Sequence, residues 1–197
     1  MKWTHYFPIY DKHFGPWRNR TLTFLEIGVL RGGSGSIWSK FFGPMTQIVG
    51  LDIDPACKAH ETKQYQIRIG DQSDPLFLQK VIDEFGVPDI VLDDGSHQQD
   101  HIYNSFCFLY PKMHLNSIYM VEDLHTSYWP SHRGSLTDPT TFMNRTKGYL
   151  DQINQMHNQI QIDPVVKDTF CISVYDSIVV FEKGKTYDKN HVFSGHI

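Results

Sequence analysis

Five strand-like runs in succession each carry an acid at or near the C-terminal end, and that recurrence narrows the chain to a small set of folds. The runs cover residues 22–28, 48–52, 66–71, 89–94 and 118–123; the acids are Glu26, Asp52, Asp71, the pair Asp93 and Asp94, and the pair Glu122 and Asp123. Helical patterns lie between the runs, which therefore read as βα units stacked on a mainly parallel sheet. Open α/β sheets bind their ligands at the edge where those acids gather. Two further runs, 170–175 and 177–182, flank Asp176 and read as a tight antiparallel hairpin closing one edge of the sheet. The expected architecture is a Rossmann-like three-layer α/β/α sandwich with a seven-stranded, mainly parallel sheet. At 197 residues and 40% hydrophobic content the chain builds one domain over 1–197. Within it, 1–20 form an N-terminal extension and 184–197 a polar tail.

Between the fifth run and the hairpin, residues 124–141 show no period and read as a functional loop. A helix is predicted over 144–156, its apolar face built by Tyr149, Leu150, Ile153 and Met156. The aromatic residues Trp3, Tyr6, Phe7, Tyr10, Phe14 and Trp17 read as packing. The net charge of -4 comes without a basic stripe, so nucleic acid is not an expected partner. Cys57, Cys107 and Cys171 form no CxxC pair, which argues against a disulfide framework and for a reducing, cytoplasmic setting. No stretch has the roughly 18 apolar residues of a membrane span.

The turn after the first run, from Glu26 through Gly28, Gly32 and Gly33 to Ser34, brings a backbone close to a ligand as strand passes into helix. A dinucleotide fingerprint fails because Leu30 stands where the second glycine is needed, and a P-loop fails because no lysine precedes Ser34. What remains, E-x-G-x-x-x-G, resembles the first motif of class I S-adenosylmethionine-dependent methyltransferases. An acid after the second strand, Asp52, can accept both ribose hydroxyls, and one after the third, Asp71, can meet an adenine amino group. Cofactor contacts are therefore expected from Glu26, Gly28, Asp52 and Asp71, with Gln72 as a weaker candidate.

At the other end of the sheet edge, Asp94, Glu122 and Asp123 would converge. Three carboxylates repel unless a cation neutralises them, and all-oxygen ligation points to Mg²⁺, with Mn²⁺ or Ca²⁺ as substitutes. His97, three residues beyond Asp94 and placed at the start of the next helix, is the expected general base. A hydroxyl bound to a dication gives up its proton more readily, and the resulting oxygen attacks the sulfonium methyl in line. His97 and His101 are four apart, but no third nitrogen or sulfur ligand accompanies them, so a transition-metal site is not expected. Asp93 reads as a neighbour turned away from the metal or as a partner of its ligands.

Four segments sharpen the resemblance: Leu25-Glu26-Ile27-Gly28-Val29, Gly50-Leu51-Asp52-Ile53-Asp54-Pro55, Asp93-Asp94-Gly95-Ser96-His97, and the eight residues from Glu122 to Trp129. They look like the metal-dependent sugar O-methyltransferases of macrolide biosynthesis, the mycinamicin and macrocin type. The resemblance implies Mg²⁺ held by Asp94, Glu122 and Asp123, His97 as base, and a small-molecule hydroxyl acceptor that contains a sugar. His125, Tyr128 and Trp129 follow the acid pair and are candidates to roof that acceptor. Catechol-type O-methyltransferases share the layout but carry lysine at the place of His97, so a catechol or vicinal-diol acceptor is the alternative. A cofactor-binding α/β protein without methyltransferase activity is a second alternative. The resemblance leaves a homo-oligomer open.

Overall fold

The structure is a computed structural model that describes residues 2–185. Seven strands form one sheet: β1 (Thr23–Ile27), β2 (Gln47–Asp52), β3 (Tyr65–Ile69), β4 (Ile90–Asp93), β5 (Ile118–Val121), β6 (Thr169–Tyr175) and β7 (Ile178–Lys183). Their order is β3-β2-β1-β4-β5-β7-β6. The first five run parallel, and β7 lies antiparallel between β5 and β6. The expected three-layer sandwich and hairpin edge are present. The tail over residues 186–197 lies outside the described residues.

Strict alternation along the strands builds two cores. On β1, β4, β5 and β7, Leu25, Ile27, Val91, Tyr119, Val121, Val179 and Phe181 face one side, where α3 (Pro75–Phe85), α4 (Gln99–Leu109) and α5 (Phe142–Gln152) cover them. Phe24, Ile90, Leu92, Ile118, Met120, Ile178 and Val180 face the other, under α1 (Tyr6–Phe14) and α2 (Gly33–Phe42). A strand buried on both faces has no polar side to spare, which is why these runs are almost continuously apolar. Carried past the strand ends, the same parity sorts the acids. Glu26, Asp94 and Glu122 take the parity of Phe24, Leu92 and Met120, toward α1 and α2, whereas Asp93 takes the parity of Val91, toward α3 and α4.

Several boundaries differ from the sequence reading. Strands β3, β4 and β5 stop before the acids predicted to end them, so Asp71, Asp94, Glu122 and Asp123 all sit on loops. His97 is also on a loop, two residues ahead of α4. The predicted helix over 144–156 is α5 at Phe142–Gln152, capped by the Thr141 hydroxyl, and a separate turn α6 (Gln155–Asn158). Its buried face is Phe142, Thr146 and Tyr149, and of the apolar set expected there Leu150 and Met156 are exposed. The loop over 124–141 is tightened by two short 3₁₀ turns, Leu124–Tyr128 and Pro130–His132. The three cysteines are free. Among the described residues no helix is long and apolar enough to cross a membrane.

Candidate active site

Strand order reverses between β1 and β4, and there the two loops touch. Gly28 has φ +98°, and a Cβ placed on it would sit 2.0 Å from the Asp94 carbonyl oxygen. Above this junction lies a cavity of about 910 Å³ lined by the turn after β1 and by Asp52, Asp71, Gln72, Asp94, Ser96, His97, His101 and Asp123. Leu30 in this turn and Asp123 after β5 also carry positive φ, at 51° and 52°. Such backbone is held against its intrinsic cost by the surrounding contacts, a frequent property of binding loops.

At the β1–β3 end, Asp52 Oδ2 accepts the Val29 and Leu30 N–H groups at 2.9 Å each, and Oδ1 accepts that of Asp54 at 2.9 Å. Burial alone would raise its pKa, but these three donors win and hold it below the usual carboxylate range. Asp52 thus stays ionised and shapes the glycine turn, and Oδ1, with a single donor, keeps room to accept from a ligand. Asp71 accepts the Ser73 N–H and hydroxyl, both at 2.8 Å, and these hold its pKa down as well. Glu26 does not line the cavity. Its buried carboxylate is occupied by the Ser34 hydroxyl at 2.7 Å, the Trp38 indole at 2.9 Å and the Tyr65 hydroxyl at 2.9 Å. In this structure Glu26 fastens the turn from beneath. Gln72 lines the cavity but faces two ways: its amide N–H₂ meets Asp93 at 3.1 Å, and its carbonyl accepts the Ser96 N–H at 2.8 Å.

Asp93 is turned away from the cavity, as its parity requires. It accepts Gln72, the Ser105 hydroxyl at 2.9 Å and the Tyr119 hydroxyl at 3.2 Å, and burial raises its pKa. These bonds fix the start of the loop that carries Asp94 and His97.

At the β4–β5 end, Asp94, His97 and Asp123 each bring one ligand atom within 4.8 Å of the others. His97 Nε2 lies 3.6 Å from Asp123 Oδ2 and 4.0 Å from Asp94 Oδ1. The His97 backbone is left-handed, φ +57°, which aims the ring back over the carboxylates. Glu122 is not part of that trio. It is fully buried below it, one oxygen accepting the Tyr10 hydroxyl and the other 2.7 Å from the Lys2 ammonium. Burial raises the Glu122 pKa, with Lys2 opposing. The Lys2 ammonium also lies 2.6 Å from Asp94 Oδ2, and Tyr6 donates to Asp123 at 2.5 Å. The Lys2 ammonium thus lies between the Asp94 and Glu122 carboxylates. Hard oxygen donors of this kind fit Mg²⁺ or Mn²⁺.

The roof candidates stand beside the cavity and not in its lining. His125 stacks edge-on against Trp129, ring centroids 4.6 Å apart, and its Nδ1 lies 3.2 Å from the Ser177 hydroxyl and 4.0 Å from Asp123. Tyr128 and Trp129 are about half exposed. Sequence reasoning missed Lys2, Tyr6 and Tyr10, having assigned the two tyrosines to packing alone. Their spacing of four residues, the mark of one helical face, was the available signal. It missed His101 too, whose Nδ1 meets the Ser96 hydroxyl at 3.1 Å on the cavity wall.

A sheet in this order, with a glycine turn after β1 and acids after β2 to β5, is the fold of class I S-adenosylmethionine-dependent methyltransferases. More narrowly, the chain is a homologue of the macrolide and tetracenomycin sugar O-methyltransferases. It is 36% identical over 199 residues to mycinamicin VI 2''-O-methyltransferase of Micromonospora griseorubida, covering 92% of this chain and 49% of that one. It is 35% identical over 203 residues to demethylmacrocin O-methyltransferase of Streptomyces fradiae, covering 93% and 50%. The solved MycE methyltransferase of mycinamycin biosynthesis, in complex with Mg, SAH and mycinamycin VI, superposes with a TM-score of 0.84 at 34% identity, over 94% of this chain and 50% of that one. The chain thus spans about half the length of these relatives. No protein-family model matches it.

Proposed function

We propose that this chain transfers the methyl group of S-adenosylmethionine to a hydroxyl of a sugar or glycosylated natural product, with a divalent metal at the carboxylate edge and His97 as general base. The observation that carries the reading is the meeting of two half-sites in one cavity. Asp52, Asp71 and the glycine turn line one end, and the Asp94–His97–Asp123 trio lines the other. MycE methyltransferase, related to this chain at 34% identity, was solved with Mg and SAH, which supports placing the same two groups here.

When bound, S-adenosylmethionine supplies an electrophilic methyl and a divalent cation supplies the positive charge that acidifies an acceptor hydroxyl. The chain's own residues do the rest. Asp52 and Asp71, both kept ionised, take the cofactor's hydroxyl and amino groups as hydrogen-bond donors. Asp94 and Asp123, with Glu122 below, would hold the metal. His97 Nε2 receives the acceptor's proton, and the resulting imidazolium is stabilised by Asp123 and Asp94 on either side. Gln72, Asp93 and Ser105 keep the 94–97 loop in place, so that proton acceptor and methyl acceptor remain aligned.

Calorimetric titration with S-adenosylmethionine, with and without Mg²⁺, tests the two-part site. Micromolar cofactor binding is expected for the wild type and for Asp94→Ala, with Mg²⁺ binding lost only in the variant. Absence of cofactor binding under every condition would sink the methyltransferase reading.

A further inference from the structure

We propose that Lys2 is an internal counter-ion of the carboxylate edge, occupying the position of positive charge until a divalent cation displaces it. The inference rests on the metal reading of Asp94, Glu122 and Asp123 given above.

Glu122 is fully buried, and both of its oxygens are in use, one by the Tyr10 hydroxyl and one by the Lys2 ammonium. The same ammonium takes Asp94 Oδ2, and its side chain is only 10% exposed. A divalent cation bridging Asp94 and Glu122 needs those oxygens at about 2.0–2.1 Å for Mg²⁺. An ammonium on the same two oxygens would then face a dication at close range in a site largely closed to water, where repulsion is strong. The two cations exclude one another.

The surrounding structure ties the Lys2 segment down only lightly. Lys2 lies ahead of α1, and His5, at the helix start, offers no side-chain cap. Trp3 beside it is 58% exposed and touches the site only through an edge-on ring contact with His125 at 6.3 Å. Behind this segment α1 is fixed independently. Tyr6 and Tyr10 hold Asp123 and Glu122, and Phe14 packs on Phe24 and Trp38. Withdrawal of Lys2 with Trp3 breaks one backbone bond, the Tyr6 N–H to the Trp3 carbonyl at 3.1 Å, while the rest of the helix stays docked.

Two consequences distinguish a displaceable counter-ion from a merely structural lysine. First, apparent metal affinity is reduced by the fraction of molecules with Lys2 withdrawn, so removing the charge tightens binding. Second, metal entry moves Trp3. Calorimetric titration of the full chain with Mg²⁺ should show Lys2→Met binding roughly ten- to hundred-fold tighter than wild type. Lys2→Arg, which keeps the charge and the folded state, should bind no tighter than wild type. In the wild type, Mg²⁺ should change tryptophan emission in step with the calorimetric isotherm, and the change should vanish in Trp3→Phe. Equal Mg²⁺ affinity in wild type and Lys2→Met, or weaker affinity in the variant, overturns the inference while leaving the metal reading in place. No Mg²⁺ binding by either protein removes the metal reading itself, and this inference with it.

Discussion

His97→Ala is expected to lower kcat for methyl transfer by about 10²–10⁴, the usual worth of a positioned general base, with S-adenosylmethionine affinity unchanged. The effect is this large because His97 Nε2 is the imidazole nitrogen that sits between Asp94 and Asp123, 4.0 Å and 3.6 Å from their oxygens. Alanine also disturbs the backbone, since His97 adopts φ +57°. His97→Asn separates the two effects. Asparagine tolerates left-handed backbone well but cannot carry a proton away. Both variants should lose activity equally, with His97→Asn melting near the wild-type temperature and His97→Ala somewhat below it. If His97→Asn kept more than a tenth of the wild-type rate, the base would have to be sought elsewhere on the cavity wall, with His101 the first place to look.

Gly28→Ala should be the most damaging change outside the acids. The residue has φ +98°, and the added methyl would lie 2.0 Å from the Asp94 carbonyl oxygen and 2.7 Å from its carbon. Backbone strain of this kind costs about 1–3 kcal/mol, and the obstacle is backbone on both sides, which cannot rotate out of the way. A total of roughly 2–4 kcal/mol corresponds to a fall in Tm of about 5–15 °C for a chain of this size. Because the clash lies on the seam between β1 and β4, cofactor and metal binding should weaken together. Gly148→Ala in α5, where a Cβ meets nothing within 4 Å, serves as the control and should be neutral or slightly stabilising. Equal melting temperatures for wild type and Gly28→Ala would mean that the two loops do not touch in solution.

The sheet was legible in the sequence because strands buried on both faces cannot hide. Their runs are apolar throughout, and their ends are marked where the first acid meets the open edge. Strand ends came out one or two residues long because an acid just past a strand looks in sequence like its last residue. Parity was the information left unused. Asp93 and Asp94 are adjacent and chemically identical, yet one organises a loop from beneath and the other faces the cavity, and the apolar alternation of β4 already decides which is which. Parity likewise directs Glu26 under the turn, toward Trp38 and Tyr65. The face of α5 was misread because Leu150 and Met156 fit helical spacing as well as the true set does, and only the break after Gln152 separates them. Lys2 had no such pattern. Its role depends on partners 92 and 120 residues away, and no local window contains them.

The docking of α1 also bears on the order in which this chain assembles. Its site-facing contacts reach Glu122 and Asp123, and its far end reaches Tyr175 and Glu182, so this helix waits for the hairpin strands before it can settle. Contacts of such long sequence separation form late, after the chain entropy of closing the intervening loop has been overcome. Protection of the α1 amides from hydrogen exchange is therefore a reading of whether the entire sheet has closed. A folding intermediate with β1 to β5 in place but no hairpin would leave Glu122 and Asp123 without the helix that braces them.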